Sequence, residues 1–468
     1  MQYPILIPNI FNHPFTYESK ERLKVGTYVK VPFGKNYLTG VVWNLFEKKN
    51  KKKFKIKKIK SIIEVDPLKI ETIKFLNWFS SYNLVPIGMC LKLHLLSGEA
   101  ITKFDDKEYL IFNNKRTTRN FKLSEDQDKV FREMLKKDYE FRVHLLQGTT
   151  GSGKTIIYFK QIEEVLKKGY QALILLPEIG LTTEFEKKFE EFFGFRAAIW
   201  HSGITPKKKK IIWRGVTLGL IKVIIGARSS LFLPFKKIGL IIVDEEHDQS
   251  FKQDEGVIYN ARDMAISRAN FENIPINLVT AVPSIETYAN VKKNKYSISR
   301  LIKRYKDANL PSFEIIDLNK NKLNKQSWIA PETLKKVKDH LIKNDQVLFF
   351  MNRRGFAPYA LCKNCAKVYS CPNCSINLVY HKGKNILLCH YCGFKSKLNR
   401  NCSKGNTCDF IFSGPGVERI AEEVKVLFPD KKLCIFSSDT MNKKSSKDQL
   451  ESIVNGKVDI LIGTQLIS

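Results

Sequence analysis

The stretch Gly148-Thr-Thr-Gly-Ser-Gly-Lys-Thr155 constrains this chain more than any other. It fits G-x-x-x-x-G-K-[ST], a loop that needs a strand before it and a helix after it. Both neighbours are present: RVHLLQ is an apolar strand-like run, and IIYFKQIEEVLKK has helical periodicity. Glycines let backbone N–H groups close around phosphates, and the helix adds its N-terminal dipole. In that arrangement Gly148, Thr149, Thr150, Gly151, Ser152 and Gly153 wrap the phosphates of ATP. Lys154 reaches the β and γ phosphates, and the Thr155 hydroxyl ligates magnesium. A plain glycine-rich turn is the competing reading, and the flanking strand and helix oppose it.

A second motif points the same way. LIIVDEEH ends an apolar strand on Asp244-Glu245-Glu246-His247. An acid at that place suits a Walker B site, with Asp244 serving magnesium and Glu245 orienting and activating the attacking water. Around these motifs RVHLLQ, QALILLP, KVIIG, LIIVDE and NLVTA alternate with amphipathic segments. That alternation predicts an α/β fold with a parallel sheet covered on both faces. A second set, QVLFFM, LCIF and DILIG, predicts a second lobe interrupted by a cysteine cluster. Residues 1–98 read as short strands and turns followed by a helix, with VGTYVKVPFG and LTGVVWNLF alternating apolar and polar positions. Residues 99–123 are polar and patternless, as in a linker. Lobe 1 is then expected over 124–310 and lobe 2 over 311–468, with the cysteine module at 361–409 inserted in lobe 2.

Charge names a class of partner. Of 468 residues, 79 are Lys or Arg and 47 are Asp or Glu, a net charge of +32. Such an excess favours a polyanion, most simply nucleic acid. Only 16 of the basic residues are Arg, and Asn, Ile and Phe are plentiful. An AT-rich genome produces that bias by itself, which weakens the inference. Nine Lys fall between Lys48 and Lys60, where a solvated loop and a functional patch are evenly matched. No apolar run approaches the roughly 18 residues that span a bilayer. MQYPILIPNI has no basic run ahead of its apolar residues, so neither a membrane segment nor a signal peptide is expected.

Eight of the ten cysteines lie between Cys362 and Cys408; only Cys90 and Cys434 lie outside. Clustered pairs in a long chain read as zinc ligands in a reducing cytoplasm. Cys362/Cys365, Cys371/Cys374 and Cys389/Cys392 are C-x-x-C pairs, with Cys402 and Cys408 more widely spaced. Two such pairs make one tetrahedral site, so eight cysteines suit two zinc ions. His381 and His390 are expected to be exposed polar residues.

The blocks LSEDQ, LLPEIGLT, WHSG, IIGARSSLFLPF, VDEEHD, FKQDEG, ARDMA, NRRGFAP, the cysteine run and ILIGTQ occur in one order. In that order they resemble primosomal protein N-prime, the PriA helicase family of bacterial replication restart, from about residue 4 to the last residue. The resemblance implies a superfamily 2 helicase with two P-loop (RecA-like) lobes, an N-terminal β-rich DNA-binding domain and a zinc insertion in the second lobe. It implies ATP-dependent 3′-to-5′ unwinding of forked and single-stranded DNA, in a bacterial cytoplasm, beside other primosome proteins and single-strand-binding protein. It assigns Gln127 to adenine. Glu178, Thr182, Arg228 and Ser229 fall to motifs that line the DNA path or couple it to ATP. Phe15, Tyr17, Gly34 and Lys60 match a pocket for a nascent 3′ end; by themselves they would be better explained as strand core. It pairs the outer cysteines Cys362 and Cys365 with Cys402 and its partner, and the inner four with each other. In the family the last pair is also C-x-x-C; here Gly405 stands at that place and Cys408 follows it.

Other departures temper the expectation. With only about 25 residues between the 3′-end domain and the helicase, the family's winged helix is expected to be missing. Thr16 stands where the family pocket carries an acid. Thr280-Ala281-Val282 replaces S-A-T, and a valine relays no hydrogen bond. Val257 replaces an aromatic residue. The chain reaches Ser468 inside motif V, before the motif that supplies arginines to the γ-phosphate, so lobe 2 is expected to be incomplete and hydrolysis slow. Two readings compete with a DNA helicase: a zinc-containing fork-binding scaffold with a vestigial ATP site, and an RNA helicase.

Overall fold

The computed structural model describes residues 1–44, 56–95, 109, 112, 121–135, 140–177, 183–304, 312–324, 327–351, 359–362, 368–382, 385–397, 410–413, 416–436, 449 and 452–464. It divides into two compact units, Met1–Leu310 and Pro311–Ser468.

The first unit opens with a six-stranded sheet. Its order is Lys57–Lys58, Phe15–Glu18, Gln2–Leu6, Asn36–Val42, Tyr28–Phe33, Ser61–Ile62. The two outermost strands are joined in sequence by Ile59 and Lys60 alone. That bend ties one edge of the sheet to the other and leaves little free edge. Alternation decides what faces where. Ile5, Ile7, Val29 and Val31 form an inner core with Tyr17 and Val42. Leu6, Tyr28, Val41 and Trp43 face the other way and join Phe75, Leu76 and Phe79 of the helix Ile70–Tyr82 in a much larger core. Lys57–Ile62 is therefore part of a ladder; Lys48–Lys55 lie outside the described residues.

That larger core continues beneath a seven-stranded sheet. Its order is Ser297–Leu301, Arg142–Gly148, Pro275–Thr280, Ile238–Asp244, Gln171–Leu175, Val223–Gly226, Ala198–Trp200, with every pairing parallel. Ile241 and Val243 face the core shared with the helices Pro206–Leu218 and Ala261–Glu272. Leu240 and Ile242 face the opposite core, under the helices Glu125–Leu135, Lys154–Lys167 and Thr183–Phe193. The doubly covered parallel sheet is the one the sequence pattern predicts. Ligands of such sheets bind at the carboxyl ends of the strands, and here Gly148, Thr280 and Asp244 end three successive strands. Of the expected linker, Tyr109 and Phe112 are described and buried in the large core, so it is anchored there. The apolar run 109–112 is four residues long between polar stretches, too short for the sequence reading to take as an element.

The second unit carries a three-stranded parallel sheet, Val347–Phe350, Ile460–Gly463, Leu433–Phe436, backed by the helices Pro331–Ile342 and Val417–Leu427. Between its first and last strands in sequence lie an antiparallel pair, Tyr359–Cys362 with Phe410–Ser413, and a small meander of Val379–His381, Ile386–Leu388 and Lys395–Lys397. Among the described residues no helix is long and apolar enough to cross a membrane.

Candidate active site and metal centre

The phosphate loop leaves its strand at Gly148 and enters the helix Lys154–Lys167 through Gly153. Gly151 and Gly153 both have φ of 82°, a left-handed conformation that L side chains resist. A Cβ on Gly153 would also stand 2.3 Å from Gln127 Nε2. Gln127 is buried, and its amide is committed at both ends. Nε2 donates to Ser152 O at 3.0 Å, and Oε1 accepts from Ser124 N at 3.0 Å. The glutamine thus braces the loop from beneath. Lys154 folds back, donating to Gly148 O at 2.8 Å. The hydroxyls of Thr149 and Ser152 are buried without a hydrogen-bond partner among the described residues. Burying a hydroxyl without a partner costs about 1–3 kcal/mol. A cradle with spare donors and a lysine held only by loop carbonyls fits a phosphate chain.

Asp244 ends the strand Ile238–Asp244. Its Oδ2 accepts from Tyr158 Oη at 2.7 Å, and its Oδ1 accepts from Glu245 N at 3.0 Å. Burial pushes its carboxyl up to about 6, and the Tyr158 hydrogen bond works against that rise. A divalent cation favours the ionised form, so the donor set suits magnesium. Tyr158 lies one helical turn beyond Lys154, on the same face, and burial raises its own pKa well above the usual range. The sequence reading missed Tyr158; its i+4 spacing from Lys154 was the available signal. Glu245 has φ of 50°, which turns its half-exposed side chain away from the strand line.

The rest of D-E-E-H faces Thr280-Ala281-Val282. His247 Nδ1 lies 2.7 Å from Thr280 Oγ1, which also accepts from Val282 N at 3.1 Å. The Val282 side chain is exposed. Val257, at the place of an aromatic, is buried in the large core. Arg228 donates to Lys252 O at 2.7 Å, and Ser229 Oγ accepts from Trp200 Nε1 at 3.1 Å. Glu178 and Thr182 lie outside the described residues.

The suggested 3′-end residues do not all present a free surface. Tyr17 is buried, and its hydroxyl donates to Pro32 O at 3.1 Å across the closed sheet. Phe15 is half-buried among Phe11, His13 and Phe33, with centroids 4.9–5.5 Å away. Thr16 is exposed. Gly34 turns the hairpin with φ of 60°. Lys60 Nζ sits 3.9 Å over the exposed Tyr37 ring, a cation–π contact.

In the second unit the sulfurs of Cys371, Cys374, Cys389 and Cys392 all lie within 4.8 Å of one another. Two of the closest separations are 3.4 Å and a third is 3.6 Å. A zinc tetrahedron with Zn–S near 2.3 Å needs sulfurs roughly 3.8 Å apart, so the set fits. The two knuckles match each other. Ser375 N donates to Cys371 O at 2.8 Å, and Gly393 N donates to Cys389 O at 2.9 Å. Ser375 and Gly393 are both left-handed. Cys362 is buried and pairs with Phe410; Cys365, Cys402 and Cys408 lie outside the described residues. One expectation is corrected. His381 is buried, with Nε2 2.9 Å from His390 Nε2 and Nδ1 3.3 Å from Glu418 Oε1. The meander packs against the helix Val417–Leu427, and that covers it.

Comparison with known proteins agrees with these elements. Residues 4–95 match the family described as 3′DNA-binding domain (3′BD), 124–291 match DEAD/DEAH box helicase, and 371–397 match the PriA DNA helicase Cys-rich region (CRR) domain. The chain is similar to replication restart protein PriA of Rickettsia conorii, 42% identical, with 99% of this chain and 71% of that one covered. It is 40% identical to the protein of that name from Haemophilus influenzae, over 70% of this chain and 45% of that one. Against the Bacillus subtilis protein it is 36% identical, over 75% and 44%.

Proposed function

The chain belongs to the PriA family of replication restart proteins, and from that premise we propose that it unwinds DNA 3′ to 5′ at stalled or repaired forks. It is an ATP-dependent DNA helicase with a zinc-binding Cys-rich region. One observation carries the reading of its engine: the phosphate loop, Thr280 and Asp244 converge at the carboxyl edge of one parallel sheet. An ATP site of that form inside a helicase domain disfavours a scaffold.

The residue roles are our proposal, supported by the motifs and by the contacts of the site. The backbone of 148–153 receives phosphate oxygens, and Lys154 leaves Gly148 O for them. Thr155 and Asp244 hold magnesium, with Tyr158 fixing the carboxylate. Magnesium, when bound, neutralises charge on the phosphate oxygens. Glu245 orients the attacking water. Gln127 sets the loop, and by turning its amide from Ser152 O to the base it contacts adenine. Arg228 serves the DNA path. Phe15 and Lys60 are proposed to meet a DNA end, and Tyr17, with its hydroxyl on Pro32 O, to support the sheet beside them. Two zinc ions are assigned, an inner one on Cys371, Cys374, Cys389 and Cys392, and an outer one on Cys362, Cys365, Cys402 and Cys408. The antiparallel pairing of Cys362 with Phe410, two residues past Cys408 in sequence, supports that second set. We keep the domain limits 1–98, 124–310 and 311–468 with the insertion at 361–409, and we place the protein in the bacterial cytoplasm with primosome proteins and single-strand-binding protein as partners.

The test compares the parent chain with Lys154→Ala on forked DNA. The parent should unwind substrates with a 3′ tail in an ATP-dependent way. The variant should bind the fork with parental affinity and unwind nothing. Unwinding without ATP, or from 5′ tails only, would overturn the proposal.

A further inference from the structure

Glu246 of D-E-E-H has been given no role so far. Its side chain is wholly buried. It accepts four hydrogen bonds: Ser284 N at 2.7 Å, Ser284 Oγ at 3.0 Å, Thr287 Oγ1 at 3.0 Å and Arg262 Nη1 at 3.3 Å. Arg262 is itself nearly buried and donates to Ser284 Oγ as well, at 2.6 Å. Three separate segments meet on this carboxylate. The first is the strand end bearing Asp244 and Glu245. The second is the start of the helix Ile285–Lys292, which follows Thr280-Ala281-Val282. The third is the start of the helix Ala261–Glu272, where the excursion 248–260 returns to the sheet.

Two consecutive residues therefore grip the segment 280–287 at both ends. His247 holds Thr280, and Glu246 holds Ser284 and Thr287. Between the grips Val282 is exposed. The excursion is held at its neck by Arg262 and along its length by Arg228, through Lys252 O. A buried ion pair is a poor source of stability, because apolar residues of the same volume often do as well. Its distinct effect is geometric: a carboxylate with four donors permits one arrangement of the three segments.

We propose that Glu246 is a positioning residue that couples the 248–260 excursion and the 280–287 segment to the ATP site. The coupling rests on the helicase reading above. When Arg228 or the excursion is displaced by a strand, the shift reaches Asp244 and Glu245 through Arg262 and Glu246. Thr280 and Val282 alone would not transmit it, since Val282 offers no hydroxyl.

Thr287→Val keeps shape and removes one donor to Glu246; Thr287→Ser keeps the donor. Glu246→Gln is the second, harsher variant. Each is measured for ATP turnover with and without single-stranded DNA, for KM of ATP, and for melting temperature. Thr287→Val should lower DNA-stimulated kcat at least about tenfold, the scale of one hydrogen bond to a charged group. Its DNA-free kcat and KM should stay within about twofold of the parent, and Thr287→Ser should behave as the parent. If Thr287→Val melts lower yet keeps the parental stimulation ratio, Glu246 is merely structural and the proposal fails. It fails too if Thr287→Ser is as impaired as Thr287→Val. A folded parent chain that DNA does not stimulate at all would overturn the helicase reading, and the coupling with it.

Discussion

The nucleotide site and the inner zinc knuckles use the same backbone device on very different foundations. Both place left-handed residues beside the functional groups: Gly151 and Gly153 in one, Ser375 and Gly393 in the other. The phosphate loop hangs from a seven-stranded sheet with a packed core on each face. The knuckles rest on a core of five buried residues, two of them cysteines. A site carried by a large core is shaped before its ligand arrives. A module this small draws its folding free energy from the metal.

The largest effect should follow from removing zinc. Structural zinc in small modules contributes on the order of 10 kcal/mol or more. Chelation, or Cys389→Ser, should abolish hydrogen-exchange protection across residues 368–397. Nucleotide affinity in the first unit should change less than about twofold. Equal losses in both regions would break the contrast, because the nucleotide site would then depend on the metal too.

The nucleotide site should instead fail through its backbone. Gly153→Ala forces a Cβ against Gln127 Nε2 and strains a φ of 82°. Strain of that kind costs about 1–3 kcal/mol. The expected result is an ATP affinity at least tenfold weaker with a nearly parental zinc content, read by fluorescent-nucleotide binding and by metal analysis. A parental affinity would mean that Gln127 swings aside freely and does not brace the loop.

These two regions also mark how far sequence carries. G-x-x-x-x-G-K-T and D-E-E-H announce their site because their chemistry depends on backbone geometry and strand ends, which leave a local pattern. The five strands flanking them were legible as apolar runs. The edge strands Ala198–Trp200 and Ser297–Leu301 were not, since one is three residues long and the other, Ser-Ile-Ser-Arg-Leu, has only two apolar residues and makes no apolar run. C-x-x-C spacing revealed the knuckles for the same local reason. Tyr17 as a buried strut, Tyr109 and Phe112 as anchors, His381 under a helix, and Glu246 as a junction were illegible. Each depends on a partner far away in sequence: Pro32, the large core, Glu418 and Ser284.

A smaller effect should separate metal positioning from nucleotide binding. Tyr158→Phe removes the hydroxyl that donates to Asp244 Oδ2 and that also bonds the Thr155 side chain, so it loosens both magnesium-site residues at once. A hydrogen bond to a charged group is worth about 1.5–3 kcal/mol, and water reaching the carboxylate offsets part of it. The concentration of magnesium giving half-maximal turnover should rise several-fold. Nucleotide affinity measured without magnesium should be unchanged. If both constants move together, Tyr158 shapes the loop itself, and the site is less divided into separate parts than its geometry indicates.

The smallest effect tests whether the two knuckles are alike in energy as well as in shape. Gly393 has φ of 77°, and a Cβ there would meet nothing within 4 Å. Gly393→Ala should therefore cost only backbone strain, about 1 kcal/mol, and weaken zinc roughly fivefold in a competition assay. Ser375 already bears that strain at φ of 57°. Ser375→Gly relieves it, but the glycine loses about 0.5–1 kcal/mol more conformational entropy on folding. The two terms nearly cancel, so zinc affinity should shift by less than about twofold. A marked gain would show that the first knuckle is the strained half of the site. A marked loss would show that the Ser375 side chain contributes more than its backbone conformation does.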